Sequence, residues 1–263
     1  LGNLQDKFEN IEINSKDILK LPELELYMLH QIYDLNSKFQ NYFKEYNFHK
    51  LYKELSNFCS QELSAFYFDI RKDTLYCEEK ESLKRKACIK LLNILLDVLL
   101  KWFAPIISFT TEEIFQIVKK DKNDSIHLKS FPSLPKTWCN DKLFNRYNKL
   151  KSIRNVCNAA IEVKRTNKEI GSSLETDLEI YLNENYFKLI DDLDLPEFCI
   201  TSKAKTKNLD ESKGKSVFNL EQVSGIGVLV KKADGSKCER CWKIKKEVNK
   251  STKNKCVRCS KIK

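Results

Sequence analysis

The stretches Lys237–Trp242 (KCERCW) and Lys255–Cys259 (KCVRC) decide how the end of this chain folds. They contain two C-x-x-C pairs, separated by fourteen residues, whose cysteines are Cys238, Cys241, Cys256 and Cys259. A two-residue spacer lets both sulfurs of a pair bind one metal, and two pairs supply the tetrahedral thiolate shell of structural zinc. Because no position is left open for water, the pattern predicts one Zn²⁺ ion that stabilises a small zinc ribbon and takes no part in catalysis.

The same spacing also permits a pair of disulfides, which form in oxidising compartments and are typical of short secreted chains. The sequence shows no secretory signal pattern. The six other cysteines stand singly in apolar or mixed stretches, and we interpret them as small buried hydrophobes: Cys59, Cys77, Cys88, Cys139, Cys157 and Cys199. These observations favour reduced thiols and a cytoplasmic protein.

Positive charge is concentrated at the end that carries the cysteine pairs. The chain has a formal net charge of +10. Residues 231–263 contain 13 Lys and Arg and three acidic residues, so this segment carries the whole excess and the net charge of residues 1–230 is zero. Four thiolates and one Zn²⁺ leave this tail at about +8, which is typical of a segment that binds a polyanion. The charge therefore predicts nucleic acid as the partner. A merely solvated lysine-rich surface is the alternative, since Lys outnumbers Arg 40 to 7.

Side chains around the cysteine pairs are candidates for RNA contact. Trp242 follows the second cysteine directly and is either a stacking platform for a base or a cover for the small core of the ribbon. Arg240 and Arg258 each precede the second cysteine of a pair, where a planar guanidinium either reads a base edge or hydrogen-bonds the ribbon backbone. Three lysines complete the predicted RNA-binding set of the tail: Lys243, Lys245 and Lys246.

The body of the chain has a helical pattern. A length of 263 residues predicts two or three domains, and apolar positions at helical spacing predict at least four helices between Pro22 and Lys120. The apolar stretch Ile89–Phe109 carries a polar residue every three or four positions, which indicates a core helix and no membrane span. We expect Thr110 to cap the next helix, and the turn-rich stretch Phe131–Pro135 to mark a domain boundary.

One long helix is predicted from Asp141 to Lys168. Its apolar positions predict the buried face: Leu150, Ile153, Val156, Cys157, Ala160 and Ile161. Its other face is basic: Lys149, Lys151, Arg154, Lys164, Arg165 and Lys168. We take Arg154, Lys164 and Arg165 as further RNA-binding candidates, against the simpler interpretation of a solvated face.

Short strand-like segments follow the long helix. They are Leu178–Leu182, Phe198–Thr201, Ser216–Leu220 and Val228–Lys232, with a helical turn at Tyr186–Ile190 and a lysine-rich loop at Lys203–Lys215. The sequence therefore predicts a mainly α fold. It consists of a helix bundle in residues 1–135, a small α+β junction domain in residues 136–232 and a four-cysteine zinc ribbon in residues 233–263, which is too small to fold without its metal.

Seven short segments of the chain form an ordered set. They are Leu1–Leu4 (LGNL), Leu63–Tyr67 (LSAFY), Lys72–Tyr76 (KDTLY), Ala104–Ile106 (API), Phe109–Ile114 (FTTEEI), Ile170–Leu174 (IGSSL) and Lys237–Trp242 (KCERCW). In this order they resemble the C-terminal third of bacterial isoleucyl-tRNA synthetases, which are class I aminoacyl-tRNA synthetases. The sequence departs from that family at Thr74, where arginine is common, and at Phe115, where tryptophan is expected.

The resemblance implies that the helix bundle is an anticodon-binding domain and that the partner is isoleucine tRNA, bound by a monomer without membrane contact. It also implies a parent isoleucine-tRNA ligase whose catalytic domain binds ATP and whose editing domain hydrolyses mischarged tRNA. The His-Ile-Gly-His and Lys-Met-Ser-Lys-Ser motifs of that family are absent here. The histidines are His30, His49 and His127, and the one methionine is Met28. We therefore predict no catalytic residue and no activity for this chain alone.

Two other functions stay open at this point. A closely similar zinc module ends certain DNA-repair glycosylases, but the Leu1-Gly2-Asn3 start supplies no catalytic amine or carboxylate of the kind those enzymes need. A non-catalytic interaction scaffold explains the helices and the zinc, and it leaves the concentrated charge unexplained.

Overall fold

The computed structural model describes Ile18, residues 20–120 and residues 123–262 of the chain. The Leu1–Leu4 segment that contributes to the family resemblance lies outside the described residues. The chain divides into two compact units. The first unit contains the residues up to 68 and residues 80–144, and the second contains residues 69–79 and 145–263. The domain boundaries expected after residues 135 and 232 stay a prediction.

Helices dominate the described chain, as predicted. The α-helices, in chain order, are α1 (Glu23–Lys44), α2 (Phe48–Asn57), α3 (Asp69–Cys77), α4 (Leu83–Phe103), α5 (Ser108–Lys119), α6 (Asp141–Thr166), α7 (Glu184–Phe187), α8 (Leu195–Phe198) and α9 (Val257–Ser260). Phe58–Phe68 is a π-helix, and short 3₁₀ turns occupy Ile126–Leu128, Lys136–Trp138, Ser173–Glu175, Leu209–Ser212 and Lys250–Thr252. Among the described residues, no helix is both long and apolar enough to span a bilayer.

The core of the first unit is aromatic and forms where α1 packs against α2 and α4. Trp102 is fully buried and meets the ring of Phe39 edge to face, with 4.9 Å between ring centroids. Its indole N–H donates to Asn36 Oδ1 at 2.9 Å, and the amide of Asn36 donates to the carbonyl of Pro132 at 2.9 Å. This chain of hydrogen bonds satisfies the buried polar groups and fixes the turn-rich Phe131–Pro135 stretch against α1.

The start of α5 differs from the expectation that Thr110 is its N-cap. The helix begins at Ser108, so Thr110 lies inside the first turn. The hydroxyl of Ser108 donates to the carbonyl of Ala104 at 2.9 Å, and the hydroxyl of Thr111 donates to the carbonyl of Ile107 at 3.2 Å. The N-cap prediction is wrong because the helix already begins two residues before Thr110, with Ile107 at the N-cap position.

The second unit contains α6 from Asn145 onward and a mixed sheet. All six positions predicted for the buried face of α6 are buried, which confirms that face: Leu150, Ile153, Val156, Cys157, Ala160 and Ile161. The strands are β1 (Thr176–Leu182), β2 (Lys203–Asn208), β3 (Phe218–Leu220), β4 (Val223–Lys232), β5 (Ser236–Lys237) and β6 (Ile244–Lys245). The first four strands form one sheet in the order β2-β1-β4-β3. In it β1 is parallel to β2 and antiparallel to β4.

Two of the predicted elements in this unit are wrong. Phe198–Thr201 is not a strand, because Phe198 ends α8, whose N-cap Asp194 accepts a hydrogen bond from the backbone N–H of Glu197. The predicted loop Lys203–Lys215 begins with strand β2. This strand lies at the edge of the sheet and is half-buried, so it lacks the apolar alternation that marks a strand in the sequence. The predicted fold class, mainly α with a small α+β part and a terminal four-cysteine cluster, is confirmed.

Candidate metal centre and nucleic-acid interface

The two cysteine pairs lie on two small elements at the end of the chain. Cys238 and Cys241 lie in the turn between β5 and β6, which pair antiparallel. Gly235 opens this hairpin with φ 129°, and a Cβ atom there would lie 2.5 Å from the backbone of Lys245, so only glycine fits. Cys256 is the N-cap residue of α9, and Cys259 lies within that helix. These elements are short, and their geometry therefore depends on what holds the four sulfurs.

The four cysteine side chains converge on one point. Their Sγ atoms all lie within 4.8 Å of one another, and all four residues are buried. The Sγ atoms of Cys241 and Cys256 are 3.8 Å apart, which is about the sulfur–sulfur separation of a tetrahedral site with Zn–S bonds of about 2.3 Å. All four thiols are free. The cluster can therefore hold one metal ion with the expected donor set.

The electrostatics of the cluster favour a bound cation. Burial, together with the neighbouring sulfurs of Cys238 and Cys256, raises the pKa of the Cys241 thiol to about 11. Burial also raises the pKa of Cys259. At Cys238, backbone N–H groups outweigh burial and lower the pKa to about 6, and one of them is the N–H of Cys256 at 3.3 Å. Four thiolates can accumulate here only when a cation compensates their mutual repulsion.

Trp242 projects from the hairpin into solvent. Its backbone has φ 62°, a left-handed conformation that is rare for a bulky residue. Two hydrogen bonds fix this turn, from the N–H of Trp242 to the carbonyl of Cys238 at 2.9 Å and from the N–H of Cys238 to the carbonyl of Lys243 at 3.0 Å. The residue is 58% exposed, and the Lys237 ammonium lies 5.2 Å from the indole centroid. More than half of the residue is thus accessible to a ligand, and whether the indole stacks on RNA or covers the small core of the ribbon stays a prediction.

Arg240 and Arg258 both bind α3, which belongs to the same compact unit. Arg258 donates two hydrogen bonds to Asp73, at 2.6 and 2.7 Å, and a third to Glu78 at 3.2 Å. Arg240 donates to the carbonyl of Tyr76 at 3.1 and 3.3 Å. Both guanidinium groups are therefore engaged with protein groups. A role of either arginine in reading RNA bases stays a prediction.

The three lysines of the tail differ in their surroundings. The Lys245 ammonium donates to the carbonyl of Ser202 at 3.4 Å, and Lys246 forms an exposed ion pair with Asp234 at 2.8 Å. Lys243 is half-buried beside the hairpin turn. Exposed pairs of this kind are weak and exchange easily for phosphate contacts. The predicted RNA contacts of these lysines stay a prediction.

The basic positions of α6 do not form one solvent face. Arg154 is 6% exposed and donates to the carbonyl of Phe198 at 2.9 Å and to Asp69 at 2.9 Å. It therefore packs inside the unit, and the expectation of a shared basic face is wrong for this residue. Lys164 and Arg165 are the more accessible members of the set. Lys164 pairs with Glu169 at 2.8 Å, and Arg165 pairs with Glu162 at 3.6 Å.

Two adjoining cavities connect the cysteine hairpin with α6. One, the hairpin cavity, has a volume of about 510 Å³ and is lined by Tyr76, Arg240, Trp242 and Lys243 among others. The other, the α6 cavity, has a volume of about 380 Å³ and is lined by Arg154 and Arg165 among others. Four residues line both: Asp69, Ser172, Ser173 and Ile200. The two cavities, together called the groove below, thus share part of their wall, and they are lined by Arg240 and Lys243 of the tail and by Arg154 and Arg165 of α6.

Tyr76 is a groove residue that residue-by-residue reasoning missed. It is 59% exposed and lines the hairpin cavity together with Trp242. Ser172 and Ser173 form the part of the wall that both cavities share. A signal for them existed, because Lys72–Tyr76 and Ile170–Leu174 are two of the segments that carry the family resemblance. Their chemistry alone, one tyrosine and two serines, did not single them out.

A second group of possible metal donors lies in the first unit and does not fit a metal. A ring nitrogen of His30, Cys139 Sγ and an Asp141 oxygen lie close enough to share an ion. However, His30 Nδ1 accepts a hydrogen bond from the backbone N–H of Asn140 at 2.9 Å, whereas a metal-bound histidine donates from its second nitrogen. Burial lowers the pKa of His30, which keeps the ring neutral as that acceptor. We therefore interpret His30 as a structural contact just before α6.

Similarity to known proteins identifies the family. The sequence profile described as "anticodon-binding domain of tRNA ligase" matches residues 25–181 of the chain. The chain belongs to this family. The match runs from α1 through most of β1 and includes α3, α6 and the Ile170–Leu174 turn. Part of the groove wall therefore lies within the matched region, whereas the cysteine hairpin follows it.

Individual relatives confirm the resemblance to isoleucyl-tRNA synthetases. The chain is 51% identical to the isoleucine–tRNA ligase of Pelagibacter ubique over 248 residues, which are 94% of this chain and 26% of that protein. It is 40% identical to the corresponding ligase of Rhodopseudomonas palustris over 85% of this chain and 22% of that protein, and 39% identical to that of Bradyrhizobium diazoefficiens over 87% and 23%. The chain thus spans about a quarter of the length of these relatives.

Proposed function

We propose that this chain is the tRNA-binding region of an isoleucine–tRNA ligase and that it recognises the anticodon arm of isoleucine tRNA. The family match and the names of the relatives support this proposal. The parent enzyme attaches isoleucine to tRNA using ATP bound in a separate catalytic domain. This chain positions the tRNA, because binding of the anticodon arm places the distant acceptor end where the reaction occurs.

The proposed cofactor is one structural Zn²⁺ ion held by Cys238, Cys241, Cys256 and Cys259. Bound zinc supplies the positive charge that four thiolates need, and it joins the β5–β6 hairpin to α9. The ion has no open coordination position in this arrangement, so its function is to fix the hairpin that carries Trp242. Metal and RNA binding are therefore linked through the conformation of this short turn.

The groove formed by the hairpin and α6 cavities is the proposed path of the anticodon strand. The observation that carries this proposal is that Trp242, more than half exposed, lines one of two cavities with a shared wall, which are bordered by Lys243 of the tail and by Arg165 of α6. Splayed bases stack on aromatic rings while basic groups follow the phosphates. Tyr76 provides a second exposed aromatic side chain in that groove. We propose that Trp242 stacks on a base and that Lys243, Lys245, Lys246, Lys164 and Arg165 contact the backbone.

A competition experiment tests the proposal. Labelled isoleucine tRNA is bound to the zinc-loaded chain in a mobility-shift assay and displaced by unlabelled isoleucine tRNA, valine tRNA or duplex DNA. We expect isoleucine tRNA to compete best and duplex DNA to compete weakly. Equal competition by duplex DNA would favour a repair-protein function, and no shift with any tRNA would refute RNA binding. Sedimentation of the complex checks the further expectation of a monomer.

A further inference from the structure

A fifth buried thiol lies beside the four-cysteine cluster. Cys77, the last residue of α3, packs in one buried cluster with the four cysteines and Val248. We infer that Cys77 is a redox-active thiol, which forms a disulfide with Cys241 when a peroxide oxidises the cluster and thereby releases the proposed zinc ion. This inference rests on the zinc site of the proposed function.

Reciprocal contacts hold Cys77 beside Cys241. The Cys77 thiol donates to the carbonyl of Arg240 at 3.8 Å. That carbonyl belongs to the peptide bond between Arg240 and Cys241, so the Cys77 sulfur lies next to the backbone of its proposed partner. In return, the Arg240 guanidinium donates to the carbonyl of Tyr76, the residue before Cys77, at 3.1 and 3.3 Å. The end of α3 is therefore fixed against the first cysteine pair.

Cys77 is presented by an element that does not need the metal. The helix α3 has nine residues, and two of its side chains, Arg71 and Thr74, donate to Glu197 at 3.0 Å. The β5–β6 hairpin, by contrast, is short and depends on what holds the four sulfurs. The Cys77 thiol therefore stays in place when the metal shell opens.

The hairpin cavity gives small molecules access to both thiols. Cys77 and Cys241 line this cavity, whose volume is about 510 Å³. Of the four cluster cysteines, all of which are described, Cys241 alone is among its lining residues. A peroxide that enters the cavity therefore meets Cys241 first, with Cys77 in the same wall.

The reaction needs one peroxide molecule, one thiolate and one thiol. The thiolate is the reactive form of cysteine, and coordination to zinc keeps Cys241 in that form. Its sulfur attacks one oxygen of hydrogen peroxide, the O–O bond breaks, and a sulfenic acid and a hydroxide ion form. The Cys77 sulfur then attacks the sulfenic sulfur, and the hydroxyl group leaves as water with the Cys77 proton. The two sulfurs are oxidised to a disulfide, and the peroxide is reduced to water and hydroxide.

The disulfide removes Cys241 from the metal shell. Three thiolates do not complete a tetrahedral site, so zinc is released and the turn that carries Trp242 loses its support. A disulfide requires the two Cα atoms to lie within about 7 Å of each other, and the short hairpin can adjust to that distance once the metal no longer fixes it. Oxidation thus disconnects one exposed aromatic side chain from the proposed groove.

Disulfide mapping tests the pairing. The full zinc-loaded chain is treated with hydrogen peroxide, the remaining thiols are alkylated, and the chain is digested with trypsin without reduction. Trypsin separates the cluster thiols, because Arg240 and Arg258 lie between the cysteines of each pair. We expect peptide 73–80, which contains Cys77, to be linked to peptide 241–243. Disulfides confined to the four cluster cysteines would overturn the inference.

The fate of Cys241 tests the role of Cys77. In Cys77→Ser the sulfenic acid has lost its partner, so it reacts with the trapping reagent dimedone or is oxidised further to sulfinic acid, which dithiothreitol does not reduce. We expect this variant to carry at least about threefold more dimedone on Cys241 than the unmodified chain. It should also recover about threefold less zinc after dithiothreitol and zinc are added. Equal labelling and equal recovery would overturn the inference.

The matched control is Cys139→Ser, which alters an exposed thiol outside the cluster and should behave as the unmodified chain. Cys77→Ser keeps a donor for the Arg240 carbonyl, and its melting temperature and zinc content are measured before peroxide is added. The mapping experiment uses the unmodified chain and decides the inference without any variant. A reduced chain that holds no zinc refutes the metal site and this inference together. A zinc-loaded chain that forms no disulfide between Cys77 and Cys241 overturns this inference alone.

Discussion

Arg258 donates two hydrogen bonds to the carboxylate of Asp73, at 2.6 and 2.7 Å. The pair joins α9, which carries Cys259, to α3. Burial alone raises the pKa of Asp73, but the hydrogen bonds and charge of Arg258 outweigh it, so the pKa lies below its ordinary value. The cysteine module is therefore attached to α3 by a charge-assisted bidentate pair whose hydrogen bonds involve none of the four cysteine sulfurs.

Asp73→Asn should loosen this attachment without releasing the metal. We expect the free energy of unfolding to fall by about 1 kcal/mol, because solvent reaches a third of Arg258 and screens the pair. Urea unfolding measures the change, and zinc analysis should still give one ion per chain. Asp210→Asn, which removes an exposed ion pair with Lys213, is the control and should change stability little. Loss of zinc in Asp73→Asn would show that the pair shapes the metal site itself.

Cys256→Ser should abolish zinc binding and unfold only the end of the chain. The remaining three thiolates cannot complete a tetrahedral shell, and the hairpin and α9 are too short to fold alone. Zinc analysis should fall from one ion per chain to none, while the far-ultraviolet circular dichroism of the helices stays nearly unchanged.

The matched control for this variant is Cys139→Ser, which alters an exposed cysteine outside the cluster. It should retain one zinc ion. Collapse of the whole helical signal in Cys256→Ser would contradict the idea that the module folds as a separate element.

Acid stability depends on Glu179. Its carboxylate accepts hydrogen bonds from Lys231 at 2.7 Å, Tyr181 at 2.8 Å and Lys207 at 3.1 Å, and these lower its pKa from 4.5 to about 2. A depressed pKa in the folded state stabilises the protein above the unfolded value, and this contribution is lost as the pH falls from 4.5 toward about 2.

Glu179→Gln should therefore lower the free energy of unfolding at pH 7 by about 2 kcal/mol, a value reduced from the full shift because solvent screens Lys231. The loss of stability between pH 4.5 and pH 2 should become shallower than in the unmodified chain. Urea titrations at several pH values measure both effects. Glu184→Gln, on the exposed side of α7, is the control and should leave the profile unchanged.

Elements with apolar periodicity were predictable from the sequence, and elements held by polar contacts were not. The buried face of α6 follows from its apolar spacing alone. Strand β2 has the sequence Lys-Ala-Lys-Thr-Lys-Asn, and it is a strand because its backbone pairs with β1 from Asp177 to Leu182. That pairing depends on a partner distant in sequence, which no local pattern reveals.

The buried four-cysteine cluster was also predictable, whereas the surroundings of the arginines were not. Local turn geometry brings together the two sulfurs of each C-x-x-C pair, and a shared tetrahedral metal predicts that the two pairs converge. Arg258 binds Asp73, which lies 185 residues away in the sequence. No local sequence pattern therefore indicates the partner of that guanidinium. The partner of Arg154 was also not predictable. This residue is on the helix face predicted to be basic, but it contacts Asp69 inside the unit.

Removal of Lys245 and Lys246 should separate backbone contact from base reading. The double alanine variant should bind all tRNAs more weakly by a similar factor and reduce the slope of log affinity against log salt by about 1.4, since each lost phosphate contact on a single strand contributes about 0.7. Filter binding between 50 and 300 mM salt, with cognate and non-cognate tRNA, measures the slope.

The control for these lysines is Lys205→Ala/Lys213→Ala, which removes two exposed charges of the same unit outside the basic segment 231–263. An unchanged slope in Lys245→Ala/Lys246→Ala would move the phosphate contacts to Lys164 and Arg165. A selective loss of isoleucine tRNA would instead assign base reading to these lysines.

Trp242 should show opposite effects on stability and on RNA binding. Its left-handed backbone, at φ 62°, costs a bulky residue about 1 kcal/mol, and glycine adopts the same conformation without that cost. Trp242→Gly should therefore retain zinc at least as tightly as the unmodified chain, measured as resistance to a competing chelator. It should also weaken tRNA binding by about 1 to 3 kcal/mol, because a stacking surface is lost.

Trp242→Ala is the matched comparison, since alanine also lacks the indole but keeps the backbone cost. Both variants should bind tRNA equally weakly, and the alanine variant should release zinc to the chelator sooner. If both release zinc faster than the unmodified chain, the indole protects the cysteine cluster and its role is structural. If both bind tRNA normally, Tyr76 alone forms the aromatic surface of the groove, and Tyr76→Leu must then produce the loss of affinity that Trp242 did not.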